Sequence, residues 1–302
     1  NLICLNPGGT YSVFLADMKF IIHTLLPLYV GNGLKQFIRM PDCEWKEKEY
    51  GQPVRIRIGP MKKKKLSTCR ELRGRDMLME YYEDEVRWYC EAPGKFGPVT
   101  RTIYTEDFHE ITYEINNKDY PGHITSLNKV MQLFPLRQLL FSRNIFLLHS
   151  SQIIVNGKGI LFTGDSGVGK TTQARMWEQY RSAEVVCNDR TALRRKSGLW
   201  KTYGFSIDGS APVYHTGSWR AAAIIALSQG KENQVRKWNG LPAVNALLKQ
   251  VMIDAWNPVM CSGMADRVIG MVNEIPVYHL MCTPDSRAVE CLEKQLRKDG
   301  IL

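Results

Sequence analysis

No two of the eight cysteines, spread from Cys4 to Cys291, stand in a C-x-x-C pair. That spacing excludes the usual zinc signatures and argues against a disulfide framework. Thiols inside apolar runs, such as Cys187 and Cys282, are expected to be reduced and buried, and a cytoplasmic setting follows as the expectation. Long apolar runs are missing too. Phe20 to Val30 is apolar but short and interrupted by His23 and Pro27, so it is not expected to span a bilayer. It lacks the basic segment and small-residue cleavage site of a secretory leader. No internal repeat and no low-complexity tract occur. Strong charge runs are equally scarce. The single one, Lys62 to Lys65 after Met61, reads as a solvated loop or, more sharply, as a docking patch for an acidic substrate. No aromatic residues interleave with it and no nucleic-acid motif accompanies it, so nucleic acid is the weaker use of the positive charge.

What is present suits a globular protein with a sizeable core. In 302 residues, 44% are hydrophobic and 23% charged, enough for one large or two modest domains. The formal net charge of +10 points to acidic partners, either a nucleotide phosphate or an acidic peptide. Residues 1–124 read as a β-rich domain of unknown role. Met77 to Cys90 and Thr100 to Ile115 carry β-branched and aromatic residues with partial alternation, split by Ala92-Pro93-Gly94. His109 and His123 stand alone there and read as solvated or structural. Residues 125–302 form the second expected domain. Ser126 to Arg143 has helical spacing broken by Pro135, so one kinked helix or two short ones lead into it.

Beyond Ile145 the pattern sharpens. Gln152 to Val155 and Gly159 to Thr163 read as strands joined by Asn156-Gly157, the strongest short hairpin signal. Glu184 to Cys187 reads as a short strand. Thr191 to Leu193 and Leu199 to Tyr203 form a hairpin, and Ala221 to Leu227 a buried strand. Leu241 to Val251 and Met264 to Val272 read as amphipathic helices, and Val277 to Cys282 as a strand. A last helix is capped by Asp285 and buries Val289, Leu292 and Leu296.

The most informative stretch is Gly164-Asp165-Ser166-Gly167-Val168-Gly169-Lys170-Thr171, followed by Thr172. It matches G-x-x-x-x-G-K-[ST], the phosphate-cradling P-loop. A chance match in a chain of this length has odds on the order of one per cent at ordinary Gly and Lys usage. Glycines let successive N–H groups turn toward phosphate oxygens, where a Cβ would intrude. Lys170 can reach the β- and γ-phosphates, the Thr171 hydroxyl can hold Mg²⁺, and the helix after it adds its positive end. ATP with Mg²⁺ is therefore the expected cofactor pair. The strand carrying this loop has an antiparallel neighbour just before it, so the sheet is expected to be mixed rather than a parallel βαβ series.

A phosphate loop supplies binding, and phosphate transfer needs a further acidic group for metal or proton. Asp189, at the end of Glu184–Cys187, is the leading candidate; Asn188-Asp189 could equally be a plain turn. His149, after Phe146-Leu147-Leu148, could approach the loop from the neighbouring strand or serve as a structural histidine.

These residues resemble a known family. Leu148-His149-Ser150-Ser151, the Asn156-Gly157 hairpin, Thr163 to Thr172 and Asn188-Asp189-Arg190 are similar to the catalytic domain of HPr kinase/phosphorylase, which shares its fold with phosphoenolpyruvate carboxykinases. Pro276 to Asp285, with Ala288-Val289, Tyr203-Gly204 and Gly209-Ser210, resembles smaller HPr-kinase-like proteins, some of which phosphorylate a lasso-peptide precursor on serine. The likeness spans roughly residues 136–298. It implies an α/β (α+β) mixed-sheet P-loop domain, with catalytic Asp189, His149 and Lys170 and with Thr171 and Asp189 as metal ligands. It also implies an ATP-dependent kinase whose acceptor is a peptide or protein serine. Alternatives are a small-molecule hydroxyl such as free serine, or a non-catalytic nucleotide-binding regulator. The family's acidic pair is here Asn188-Asp189, leaving one carboxylate, with Asp165 or His149 to assist. The glycine-rich signature of the reverse reaction has only Asp208-Gly209-Ser210 as a fragment, so no phosphorylase activity is expected. Nothing calls for a membrane, and a homo-oligomer stays open.

Overall fold

The computed structural model describes residues 3–39, 51–62, 70–75, 79–205 and 215–302. Cys43, Cys69, the lysine run beyond Lys62, Met77 and Asp208-Gly209-Ser210 lie outside the described residues. The architecture is mixed α/β, with more than one mixed sheet. The chain divides into two units, residues 1–143 with 254–258, and residues 144–253 with 259–302. The division falls at Asn144, so the two helices of 125–143, expected to open the second domain, group with the first unit. Among the described residues no helix is long and apolar enough to cross a membrane.

The first unit begins with β1 (Ile3–Leu5), β2 (Thr10–Leu15), β3 (Met18–Thr24), β4 (Leu28–Val30), α1 (Asn32–Lys35), β5 (Ile38–Arg39) and β6 (Val54–Pro60). It continues with β7 (Arg70–Arg75), β8 (Glu80–Glu83), β9 (Trp88–Ala92), β10 (Thr100–Tyr104) and β11 (Glu110–Ile115), then α2 (Leu127–Gln132) and α3 (Leu136–Ser142). Pro135 stands between these two helices, where it cannot continue the hydrogen-bond ladder. Nine strands form one sheet in the order β5-β2-β3-β6-β11-β10-β9-β8-β7. Within it, β6 is parallel to both neighbours, β3 and β11. The alternation Val54, Ile56, Ile58 buried and Arg55, Arg57 exposed gives that strand one core face and one open face.

The second unit opens with a long strand, β12 (Ile145–Val155), antiparallel to β13 (Lys158–Thr163). The two-residue turn between them, Asn156 at φ 51° and Gly157 at φ 72°, has the left-handed pair that a type I′ hairpin demands. There follow α4 (Lys170–Arg181), β14 (Glu184–Cys187), β15 (Arg190–Lys196), β16 (Leu199–Gly204), β17 (Ser218–Gln229) and β18 (Gln234–Trp238). The unit ends with α5 (Leu241–Leu248), α6 (Pro258–Glu274), β19 (Val277–Cys282) and α7 (Ser286–Lys298). β13 is antiparallel to β12 on one edge and parallel to β17 on the other. Because β17 also pairs with β16, β16 with β15 and β15 with β12, five strands close into a ring. Ile160, Phe162, Ile225, Leu227 and Leu280 turn to one side and pack against Trp177 of α4 and Val289, Leu292 and Leu296 of α7. Asp285 caps α7, its carboxylate accepting from Arg287 N at 3.0 Å.

Several elements differ from the sequence expectation: β12 begins at Ile145 rather than Gln152, and the helix read over Met264 to Val272 runs from Pro258 to Glu274. β18 was not anticipated: Gln234–Trp238 is mostly exposed and lacks an apolar stripe, and it forms by pairing antiparallel with β19. The helix expected over Leu241–Val251 ends at Leu248. Residues 250–252 instead run along β12: His149 N donates to Gln250 O at 2.9 Å and Met252 N to Leu147 O at 2.9 Å. A free strand edge and its unpaired amides outcompete another helical turn.

Candidate functional site

The loop between β13 and α4 is built for close backbone approach. Gly164 sits at φ +139°, and a Cβ there would meet Leu227 O at 3.2 Å and Val168 Cγ1 at 3.2 Å. Gly169, at φ +113°, precedes α4 as its N-cap and offers no side-chain cap, so the first-turn N–H groups have no capping oxygen. Gln173 N makes the first helical bond back to Gly169 O at 2.9 Å. The result is an uncapped, positive helix end behind a glycine-rich bend, the arrangement that favours an anion.

Lys170 is buried to 7% exposure, yet its ammonium is paired: Nζ donates to Gly164 O at 2.8 Å and Asp165 O at 3.0 Å. Burial pulls its pKa below the ordinary lysine value, opposed by the charges of Asp189 and Asp165. Both carboxylates are therefore near enough to favour the ammonium form. Asp165, Ser166 and Gly167 are exposed, Thr171 is half-buried and Thr172 exposed. Val168 N closes the bend onto Asp165 O at 3.2 Å, and Gln229 Nε2 steadies Gly167 O at 3.2 Å.

Strand register brings the other candidates together. His149 is inside β12 rather than before it, directly opposite Arg190, while Ser150 is opposite Thr163 at the mouth of the loop. Asp189 immediately precedes β15, so its carboxylate falls beside the imidazole: His149 Nε2 to Asp189 Oδ1 is 3.5 Å. Arg190 Nε stands 3.9 Å from Asp189 Oδ2. Backbone bonds hold this corner, Ser150 N donating to Asp189 O at 3.1 Å and the Thr163 hydroxyl to His149 O at 2.8 Å. His149 and Asp189 are partly open, with side-chain exposures of 33% and 25%, so a ligand can reach them.

One residue escaped the sequence reading. Gln250 is buried to 7% exposure, accepts from His149 N through its carbonyl, and donates from Nε2 to Asp165 Oδ1 at 3.0 Å. It joins the histidine strand to the glycine loop. Nothing local marks it, since within Leu241–Val251 it reads as one more helical position.

Among the described residues no group of three or more His, Cys, Asp or Glu gathers around one point. Asn188 Oδ1, however, is buried beside Asp189 with no hydrogen-bond partner. An orphaned acceptor next to a carboxylate is what a hydrated cation would satisfy. The residues therefore fit a metal held partly by a ligand's own oxygens.

No family model matches the chain, and no curated protein matches it. Among solved structures, the HPr(Ser) kinase/phosphatase from Coxiella burnetii is similar to part of it. The likeness has 12% identity and a TM-score of 0.32, and covers 51% of this chain and 98% of that one. At that score nothing of the chemistry is carried across, and any functional reading rests on this chain's own residues.

Proposed function

We propose that the second unit is an ATP-dependent, Mg²⁺-using kinase of the HPr-kinase-like kind, with the phosphoenolpyruvate carboxykinase-like P-loop arrangement, acting in the cytoplasm on a serine hydroxyl of a peptide or protein. The observation that carries this is the buried Lys170 lying within an uncapped, glycine-lined helix end, with Asp189 close enough to act on its charge. The ammonium donates to the carbonyls of Gly164, half-buried, and Asp165, exposed, so a triphosphate has only to exchange partners with it. Residues Gly164 to Thr172 would hold the phosphates through main-chain N–H groups. Mg²⁺, when bound, neutralises charge across the phosphates, with the Thr171 hydroxyl and the Asp189 carboxylate as its ligands in this chain.

In the transfer, the acceptor hydroxyl oxygen bonds to the γ-phosphorus, the bond from phosphorus to the β,γ-bridging oxygen breaks, and ADP leaves. Asp189 takes the hydroxyl proton or orients the hydroxyl, and His149 steadies the carboxylate from 3.5 Å. Lys170 offsets the charge that builds on the phosphoryl oxygens. Arg190 is placed to receive phosphate or an acidic acceptor.

A second reading, a nucleotide-binding regulator without turnover, is favoured by Asn188, which leaves the corner one carboxylate instead of two. Incubation with γ-labelled ATP and a cell extract separates them. The kinase reading expects a labelled polypeptide that disappears with Lys170→Ala and with Asp189→Asn. Nucleotide binding without any labelled acceptor, small-molecule or polypeptide, selects the regulator.

A further inference from the structure

On the open face of the nine-stranded sheet, register sets the side chains in two rows. Thr10, His23, Arg57, Thr112 and Ile103 lie directly opposite one another across five strands. In the next row Ile21, Arg55 and Glu110 do the same across three. Together with Arg87 they line a cavity of about 910 Å³, within the size range of ligand sites. Arg55, Arg57 and Arg87 are exposed, and none makes a side-chain hydrogen bond or ion pair with any described residue. Two of these guanidinium groups project from β6 and the third precedes β9, so like charges without a described partner gather on one concave face and favour an anion between them.

The acids at the rim do not meet that need. Asp107 accepts from the Thr105 hydroxyl at 2.6 Å and from His109 N at 3.2 Å, with Arg143 close enough to act on its charge. Of the lining acids, Glu110 is left beside Arg55, without an ion pair to any described residue. Positive charge is in surplus.

We infer that this face binds an acidic peptide in extended form, its carboxylates taken by Arg55, Arg57 and Arg87. Arg55 and Arg57 are two residues apart on one side of the pleat, a spacing of about 6.6 Å, and alternate side chains of an extended peptide repeat at the same distance. Ile21 lies beside Arg55 in its row and Ile103 lies beyond Thr112 in the row of Arg57, two apolar positions for the methylene stems of acidic side chains. A nucleic acid fits less well: Glu110, opposite Arg55, opposes a continuous phosphate backbone, and Tyr104, the lining's one residue of the Phe, Tyr and Trp class, is buried at 2% exposure and offers no stacking platform. The proposal holds whether or not the second unit transfers phosphate.

The test uses the full chain and fluorescence anisotropy of a labelled peptide of alternating Glu and Thr, against a labelled oligothymidylate of equal length. Saturable peptide binding that weakens with salt is expected. It should fall about tenfold in Arg55→Gln/Arg57→Gln, whose exposed side chains leave the thermal transition unchanged. Glu110→Gln should tighten it, a gain that damaged folding could not produce. Peptide affinity retained in the double variant, oligothymidylate bound as tightly as the peptide, or no saturable peptide binding would each overturn the inference.

Discussion

Lys170→Met separates what the lysine does for the fold from what it does for a ligand. In the empty protein the substitution removes two charge-assisted hydrogen bonds, to Gly164 O and Asp165 O, each contributing about 1.5–3 kcal/mol. It also removes the burial of an ammonium, which costs several kcal/mol and shows in the depressed Lys170 pKa. Gly164 is half-buried and Asp165 exposed, so a small shift of the loop is expected to let water take the place of the lost donor. The contributions nearly cancel, and the empty variant should unfold within about 1 kcal/mol of the wild type. With Mg²⁺-ATP at a hundred times its dissociation constant, the wild type gains about 2.7 kcal/mol by mass action. For a unit of this size that is a rise of about 5–10 °C in its thermal midpoint. The Met variant should show almost none of it. Scanning calorimetry of both proteins, with and without nucleotide, reads all four states. An equal nucleotide shift in the variant would refute the phosphate role, and an empty variant destabilised by more than about 3 kcal/mol would make Lys170 a structural group instead.

Two further outcomes concern the scaffold. Arg101 is buried between Glu91 and Glu114, so Arg101→Met leaves two carboxylates without their partner and should cost about 3–5 kcal/mol in urea unfolding; an unchanged midpoint would show the triad to be dispensable. The bond to Arg287 holds Asp285 down to a pKa of about 2, below the ordinary carboxylate range. A lowered folded pKa contributes stability above the unfolded value, and that contribution is lost as pH falls toward about 2. Asp285→Asn keeps the cap but not the charge, so it should flatten the acid limb of the melting profile, and an identical limb would contradict this.

The parts legible in the chain were those written in short range. Asn156-Gly157 specifies a hairpin because few other dipeptides adopt two successive left-handed conformations. The boundaries of β14 and the capped start of α7 come from equally local signals. Gln250 was illegible because its role comes from an edge of β12 that only the folded sheet exposes. The same holds for β18, whose polar residues become a strand through the amides of β19.

The order of residues alone determined that a strand would run into a glycine-rich bend and out through a helix, since each conformation there is dictated by neighbours a few positions away; the helix starts at Lys170, within two residues of the Thr172 that the sequence indicates. Tertiary structure decided which distant groups face that bend. His149 and Asp189 meet because β12 and β15 pair in one register, and Arg55 and Arg57 join His23 and Glu110 because β6 lies between two parallel partners. Side chains alternate with period two, so a slip of one residue in either pairing would send these groups to opposite faces. No local sequence signal specifies that register; the packing of whole sheets does.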